Sequence, residues 1–286
     1  MSSTSSNQHH PEKTTTYYVP SQSIWPIVGA VGLFLMAFGA AAGLLSGMFG
    51  LGGGIIIVPG LMFALGMDQR RAHGTSLAGV LPISMASIIT YWTHDHINWH
   101  VALWLTIGSV AGALVGARLL AVLPKRTLTL IFVGVLAIAG IRMFFEIDAT
   151  GTTVITTGTA LALIVIGFFV GALAGMLGIG GGLITVPIMI IIFHVPPAVA
   201  KGTALAVVIP TALSGTIQNL ANKNSDLLAA LMVSVIGIFT AIAGGWVAAQ
   251  MSAGLSNFLF AVLLMVIAGR RLLQLRSKSE ATPVAE

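Results

Sequence analysis

This sequence predicts an all-α membrane protein: two inverted repeats of about 128 residues, each a glycine-broken, re-entrant-like helix hairpin followed by three spans. Three observations predict it. The first is composition: of 286 residues, 56% are hydrophobic and only 7% charged. Soluble globular domains carry roughly 25% charge, so this chain lacks the polar surface to coat a soluble globule. The second is duplication. Residues 43–59, GLLSGMFGLGGGIIIVP, return at 171–187 as GALAGMLGIGGGLITVP, with 11 of 17 positions identical at a shift of 128, six of them glycines. The same shift carries 72–82 (AHGTSLAGVLP) onto 200–210 (AKGTALAVVIP), and Gly116 and Arg142 onto Gly244 and Arg270. The third is the placement of charge, which orients the two copies oppositely.

Along the chain, residues 1–23 are polar and rich in Ser and Thr, and are expected to be disordered. They lack the charged start and early apolar run of a secretory signal. Residues 26–67 contain no charge. They are read as a helix over 25–49, a glycine break, and a helix over 54–65 that rises only about 20 Å, short of the roughly 30 Å hydrocarbon core. A polar loop with Asp68, Arg70, Arg71 and His73 precedes a helix over 74–92, kinked at Pro82. The loop His94-Asp95-His96, a span over 99–123, the turn Pro124-Lys125-Arg126 and a span over 127–145 complete the first repeat, 24–151.

The second repeat, 152–275, follows the same plan. Helices are expected over 153–177 and 183–193, then a loop over 194–202 containing Lys201, a helix over 203–220 kinked at Pro210, and spans over 227–250 and 255–273. Residues 276–286 read as a basic and polar C-terminal tail.

If each hairpin returns to the side it left, the three remaining spans make an odd number of crossings and the second repeat is inverted. Placing Arg70 and Arg71 in the cytoplasm then places Lys125, Arg126, Lys223 and the basic C-terminus there, with Glu146 and Asp148 outside. That satisfies the positive-inside rule. The expected protein is a multi-pass inner (plasma) membrane protein with both termini cytoplasmic. Inverted repeats with broken helices are a recurrent plan of secondary transporters, with the substrate near the midplane.

The glycine clusters are the candidate substrate site: Gly50, Gly52, Gly53 and Gly54 with Gly178, Gly180, Gly181 and Gly182. A glycine-rich start brings backbone amides close to a ligand, and the first N–H groups of a helix favour an anion. The alternative, that glycines only permit tight helix packing, fits Gly43 and Gly47 best. Thr75 and Thr203 read as N-caps that could also offer hydroxyls to substrate, joined by Ser76. His73 and its counterpart Lys201 are candidate anion-attracting groups at the two mouths, against an ordinary interfacial role, and Pro82 and Pro210 are candidate hinges.

Other chemistry finds little support. No Lys-Ser or Lys-Thr follows the glycines, so they do not form a phosphate loop. The chain has no cysteine. His94, Asp95, His96 and His100 resemble a metal constellation, but their counterparts in the second repeat are Asn222, Lys223 and Asn224, and no metal is assigned. No nucleophile with a base lies within the spans, so an enzyme is not expected and neither is a cofactor. All eight acidic residues fall in loops or tails, which leaves no buried carboxylate to couple protons or sodium. Passive export of a monovalent anion from a negative interior then gains about 2.3 kcal/mol per 100 mV, roughly fortyfold accumulation outside.

The paired GMFGLGGGIIIVP and GMLGIGGGLITVP motifs, each followed by Gly-Thr, resemble the TauE/SafE sulfite exporter family over about 24–273. The resemblance implies bacterial-type membrane proteins that export sulfite, sulfoacetate or related organosulfur anions. The expected partners are a small anion and the lipid bilayer, without nucleic acid, and a homodimer is an open option. Transport of another solute, such as a metal cation through the loop histidines, is the alternative.

Overall fold

A computed structural model describes residues 25–119, 125–144 and 156–280. The N-terminal tail and the acidic turn at 146–151 lie outside the described residues. Ten α-helices account for the architecture: α1 Trp25–Phe49, α2 Gly54–Leu65, α3 Gln69–Thr93, α4 Trp99–Leu119, α5 Lys125–Phe144, α6 Thr157–Leu177, α7 Gly182–Ile191, α8 Pro197–Ala221, α9 Leu227–Gln250 and α10 Ala253–Glu280. Among the described residues, seven helices contain stretches long and apolar enough to cross a membrane; α2 and α7, at 12 and 10 residues, do not.

Several boundaries differ from expectation, each for a local reason. α3 begins five residues early because the Asp68 carboxylate accepts the Arg70 N–H at 3.2 Å and caps the helix, drawing the expected loop into its first turn. α8 begins at Pro197, where proline suits the first helical position, so Lys201 is helical. Thr75 and Thr203 are therefore interior to their helices and do not cap them. α10 continues to Glu280, into the stretch expected as a tail.

Two long helices from each half pack onto the other half: α1 lies along α9, and α4 along α6. Glycines four apart allow it. Gly39, Gly43 and Gly47 press against the backbone carbonyls of Val233, Gly237 and Ala241, so that a Cβ at any of them would overlap main chain. Gly108, Gly112 and Gly116 on α4 meet the carbonyls of Ile164, Phe168 and Ala172 in the same way, and Gly167, Gly171 and Gly175 on α6 meet those of Leu105, Ser109 and Ala113. In lipid the hydrophobic effect does not drive helices together, and such backbone approach supplies the packing that does. Gly43 and Gly47 are thus packing residues.

Interhelical hydrogen bonds add to this. Ser46 and Ser87 hydroxyls lie 2.9 Å apart, Ser109 and Thr211 hydroxyls 2.6 Å, and Tyr91 Oη donates to the Gly47 carbonyl at 2.7 Å. Large apolar side chains such as Leu33, Phe63, Phe239 and Trp246 face outward, as a lipid-facing surface requires. α3 and α8 pack against each other at the centre, and α5 packs on α10.

At one end of the molecule Arg71 pairs with Asp226 at 2.9 Å, and the Asp226 N–H donates to Thr75 Oγ1 at 2.9 Å. At the other, the Asn98 N–H donates to Thr203 Oγ1 at 3.0 Å, and Gly202 sits against the His96 carbonyl. Two residues related by the 128-residue shift thus hold equivalent loops at separate ends.

Candidate functional site

The helix breaks are built from left-handed backbone. Gly50, Gly52 and Gly53 have φ of 72°, 75° and 80°; Gly178, Gly180 and Gly181 have 67°, 83° and 87°. Side chains rarely tolerate that region, so these six positions require glycine for conformation. Gly54 and Gly182 require it for space. A Cβ on Gly54 would stand 2.7 Å from the Gly178 carbonyl oxygen, and one on Gly182 would overlap the Gly50 carbonyl oxygen. The two breaks are therefore in direct contact, each resting on the carbonyl that ends the preceding helix of the other.

Around this contact the structure brings together most of the residues expected from sequence. Ser76 Oγ donates to the Gly178 carbonyl at 3.1 Å, with the Gly54 carbonyl at 3.4 Å, and so bridges both breaks. His73 lies against Gly178, and Lys201 lies reciprocally against Gly50. Neither stands in a loop: both are helical and buried, at 4% and 2% exposure. Thr75 and Thr203 are not at the contact with a free face; their hydroxyls accept the loop N–H groups described above. Pro82 and Pro210 lie inside α3 and α8.

Three features escaped the sequence. Val80 and Val208 fill the space in front of Gly52 and Gly180, each touching both directions. Ser84 is fully buried, its Oγ has no hydrogen-bond partner, and it lies 3.1 Å from where a Gly52 Cβ would stand. Its counterpart after the 128-residue shift is Ala212, so a reading based on repetition passes over it. Finally, Lys201 Nζ donates to Ser256 Oγ and sits 5.3 Å from the centre of the Phe49 ring. Ser256 also lacks a polar counterpart, since Leu128 takes its place.

His94 and His96 stack with ring centroids 6.0 Å apart, and His94 Nδ1 lies 2.7 Å from the Thr90 carbonyl. Among the described residues no group of three or more His, Cys, Asp or Glu side chains converges. Burial, and then the neighbouring His94, hold His96 below the ordinary imidazole value.

Electrostatically, the contact offers dipoles in place of carboxylates. α2 and α7 both start at this place, so their first amides, which have no acceptor within the helix, are directed toward it. With one unpartnered hydroxyl beside them, the arrangement can solvate a small anion by N–H and O–H donors.

Comparison with known proteins agrees in class. The family model for the sulfite exporter TauE/SafE matches residues 163–285. A probable membrane transporter protein of Bacillus subtilis, YunE, is 27% identical over 250 residues, covering 79% of this chain and 88% of that protein. A second from the same organism, YdhB, is 34% identical over 107 residues, covering 37% and 44%. A probable membrane transporter protein of Haemophilus influenzae is 24% identical over 221 residues, covering 75% of each. No solved structure matches the chain.

Proposed function

We propose that this chain, which belongs to the sulfite exporter TauE/SafE family, exports a small sulfur-containing anion, sulfite or an organosulfonate such as sulfoacetate, by alternating access around its two glycine breaks. The family is one of membrane transporters, and the helices are those of a multi-pass membrane protein. Sulfite comes from the family's description; the preference for a small anion comes from the breaks themselves.

One observation carries the reading: two helix N-termini meet in the interior with the buried Ser84 hydroxyl unpartnered beside Gly52. A buried hydroxyl without a partner costs about 1–3 kcal/mol, a cost that a bound oxyanion accepting its proton would remove. In the closed arrangement Val80 and Val208 occupy the space in front of the glycines. Admission of substrate then requires α3 and α8 to shift, for which Pro82 and Pro210 supply freed carbonyls and a bend. The exchanged packing of α1 on α9 and α6 on α4 supports the inverted arrangement that such rocking uses. With Asp68, Asp95 and Asp226 all at helix starts or loops, export down the membrane potential from an inner membrane with cytoplasmic termini needs no coupled ion.

The test is efflux of labelled sulfite, sulfoacetate and sulfate from proteoliposomes carrying wild type or Ser84→Ala. Removing an unpartnered hydroxyl should leave the protein equally or more stable, while sulfite efflux falls about tenfold, the value of one hydrogen bond to a charged group. Unchanged efflux in a folded Ser84→Ala protein removes the break from the transport path. Thermal stabilisation by divalent metals and not by oxyanions would favour the metal-cation alternative.

A further inference from the structure

A cavity of about 210 Å³ opens at the end of the molecule that holds the 94–98 loop, between the starts of α8 and α10 and the end of α9. It is smaller than the roughly 300–1,000 Å³ pockets that take drug-sized ligands, so its occupant is small. Its polar lining comes from Lys201, Ser256, Tyr91, Thr90, His94 and His96, and no carboxylate takes part.

Lys201 is the unusual member. It stands in α8, a helix able to cross the membrane, is 2% exposed, and among the described residues its ammonium reaches the Ser256 hydroxyl and the Phe49 ring. Among the described residues the one ion pair is Arg71 with Asp226, so no described carboxylate neutralises Lys201. A cation without a counter-charge is costly to keep out of water, and a cavity lined by N–H and O–H groups beside it is suited to an anion. Tyr91 commits its proton to the Gly47 carbonyl; Lys201 and Ser256, already joined to each other, form the buried donor pair of the lining. The corresponding positions in the first repeat are His73 and Leu128, so this chemistry is present at one end only.

We propose that this cavity is a binding site for a small oxyanion, held by Lys201 Nζ and Ser256 Oγ, separate from the glycine breaks. It requires no transport to be occupied. It is nonetheless adjacent to the first break, because the Lys201 carbonyl would lie 2.7 Å from a Cβ on Gly50. On the charge count of the loops this end faces outside, where such a site would hold an anion just before release.

The chain has no cysteine, so Ala249→Cys, on the exposed wall of the cavity, gives a single thiol whose modification by an anionic thiol reagent reports on this place alone. Sulfate, which does not react with the reagent, is the probe, and purified protein in lipid-free detergent is the sample. Saturable slowing of modification by sulfate is expected. The sulfate concentration giving half-protection should rise about 10- to 100-fold in Lys201→Met and about tenfold in Ser256→Ala, the loss of a charged and a neutral donor. Ala253→Cys, on the same wall, serves if the first thiol is not modified. Protection that is absent, or unchanged from wild type in both variants, overturns the proposal. So does protection lost in Ser84→Ala, because the anion would then sit in the break; efflux lost in Ser84→Ala with protection kept separates the two sites. Adding phosphatidylglycerol should leave half-protection unchanged; protection by that lipid without sulfate would assign the cavity to a headgroup phosphate and overturn the soluble oxyanion.

Discussion

Gly53→Ala and Gly181→Ala occupy equivalent positions in the two repeats, yet they should differ in cost. Both glycines precede a short helix in left-handed conformation, φ 80° and ψ −7° against φ 87° and ψ −21°. Alanine there costs about 1–2 kcal/mol for backbone alone. The space differs. A Cβ on Gly53 would lie 2.7 Å from the Ala42 carbonyl oxygen, a main-chain atom of α1, whereas one on Gly181 meets only the Ala174 and Val170 side chains at 3.3 and 3.4 Å. Overpacking against backbone adds about 1–3 kcal/mol. Gly53→Ala should therefore lose roughly 2–5 kcal/mol and Gly181→Ala roughly 1–2 kcal/mol. At about 2–4 °C per kcal/mol, the first variant should melt several degrees below the second. Gly66→Ala, with φ 60° and nothing within 4 Å, measures the conformational share. Gly54→Ala, with ordinary φ but the Gly178 oxygen 2.7 Å away, measures the steric share. The assay is thermal unfolding of the four variants in one detergent. Equal melting of Gly53→Ala and Gly181→Ala, or Gly66→Ala as costly as Gly53→Ala, would refute the separation of strain from contact.

Three further outcomes are expected. Tyr91→Phe removes the donor to the Gly47 carbonyl near the end of α1 and should cost about 1–3 kcal/mol in the same unfolding assay. Thr75→Val and Thr203→Val each remove the acceptor of a loop N–H and should cost about 1 kcal/mol apiece; efflux per folded molecule stays unchanged if these hydroxyls serve the loops, and falls if they serve substrate. His96 is held below its ordinary value of 6.5, so the folded protein binds this proton less readily than the unfolded chain. Its contribution is full above about 6.5 and declines as pH falls through the window below it. Melting temperatures between pH 7.5 and pH 5 should then fall less steeply in His96→Gln than in wild type, an approximate range set by the imidazole pKa.

How far sequence carried the fold depended on whether a boundary was marked by a residue with one plain meaning. α1, α2 and α9 span the residues expected of them, because Gly50 and Gly53 break the first hairpin and Asp226 caps α9 by accepting the Ala229 N–H. α3 and α8 start earlier than the sequence suggests, because Arg70, Arg71 and His73, and the pair Pro196-Pro197, look like loop. The correct signals were present in Asp68 as a cap and Pro197 at the first helical position, and the polar residues that followed outweighed them. α10 continues to Glu280 for a related reason: Arg276, Lys278 and Glu280 carry charge, which ends a membrane span without ending a helix.

The site divides along a different line. Repetition located the glycines, because identical backbone geometry at two places leaves identical residues at a fixed shift. It is blind to anything that one copy has and the other lacks. Ser84 faces Ala212, Ser256 faces Leu128, and Lys201 faces His73 across the same shift. Those are the residues that bring an unpartnered hydroxyl and a buried basic group into the interior. Under the proposed mechanism, a symmetric pair of breaks would give equal access to both sides of a membrane and by itself prefer neither. The unpaired residues lie on one side of that symmetry: Ser84 beside the first break, and Lys201 with Ser256 at the end of the molecule that carries the 94–98 loop. Under the proposed alternating access, a difference between outward-open and inward-open states would be built from such residues, since the repeated ones would contribute equally to both. Exchanging the chemistry, with Ala212→Ser and Ser84→Ala together, should therefore preserve the contact of the breaks while altering efflux and uptake of sulfite unequally. Equal changes in both directions would show that the repeated glycines alone set the path.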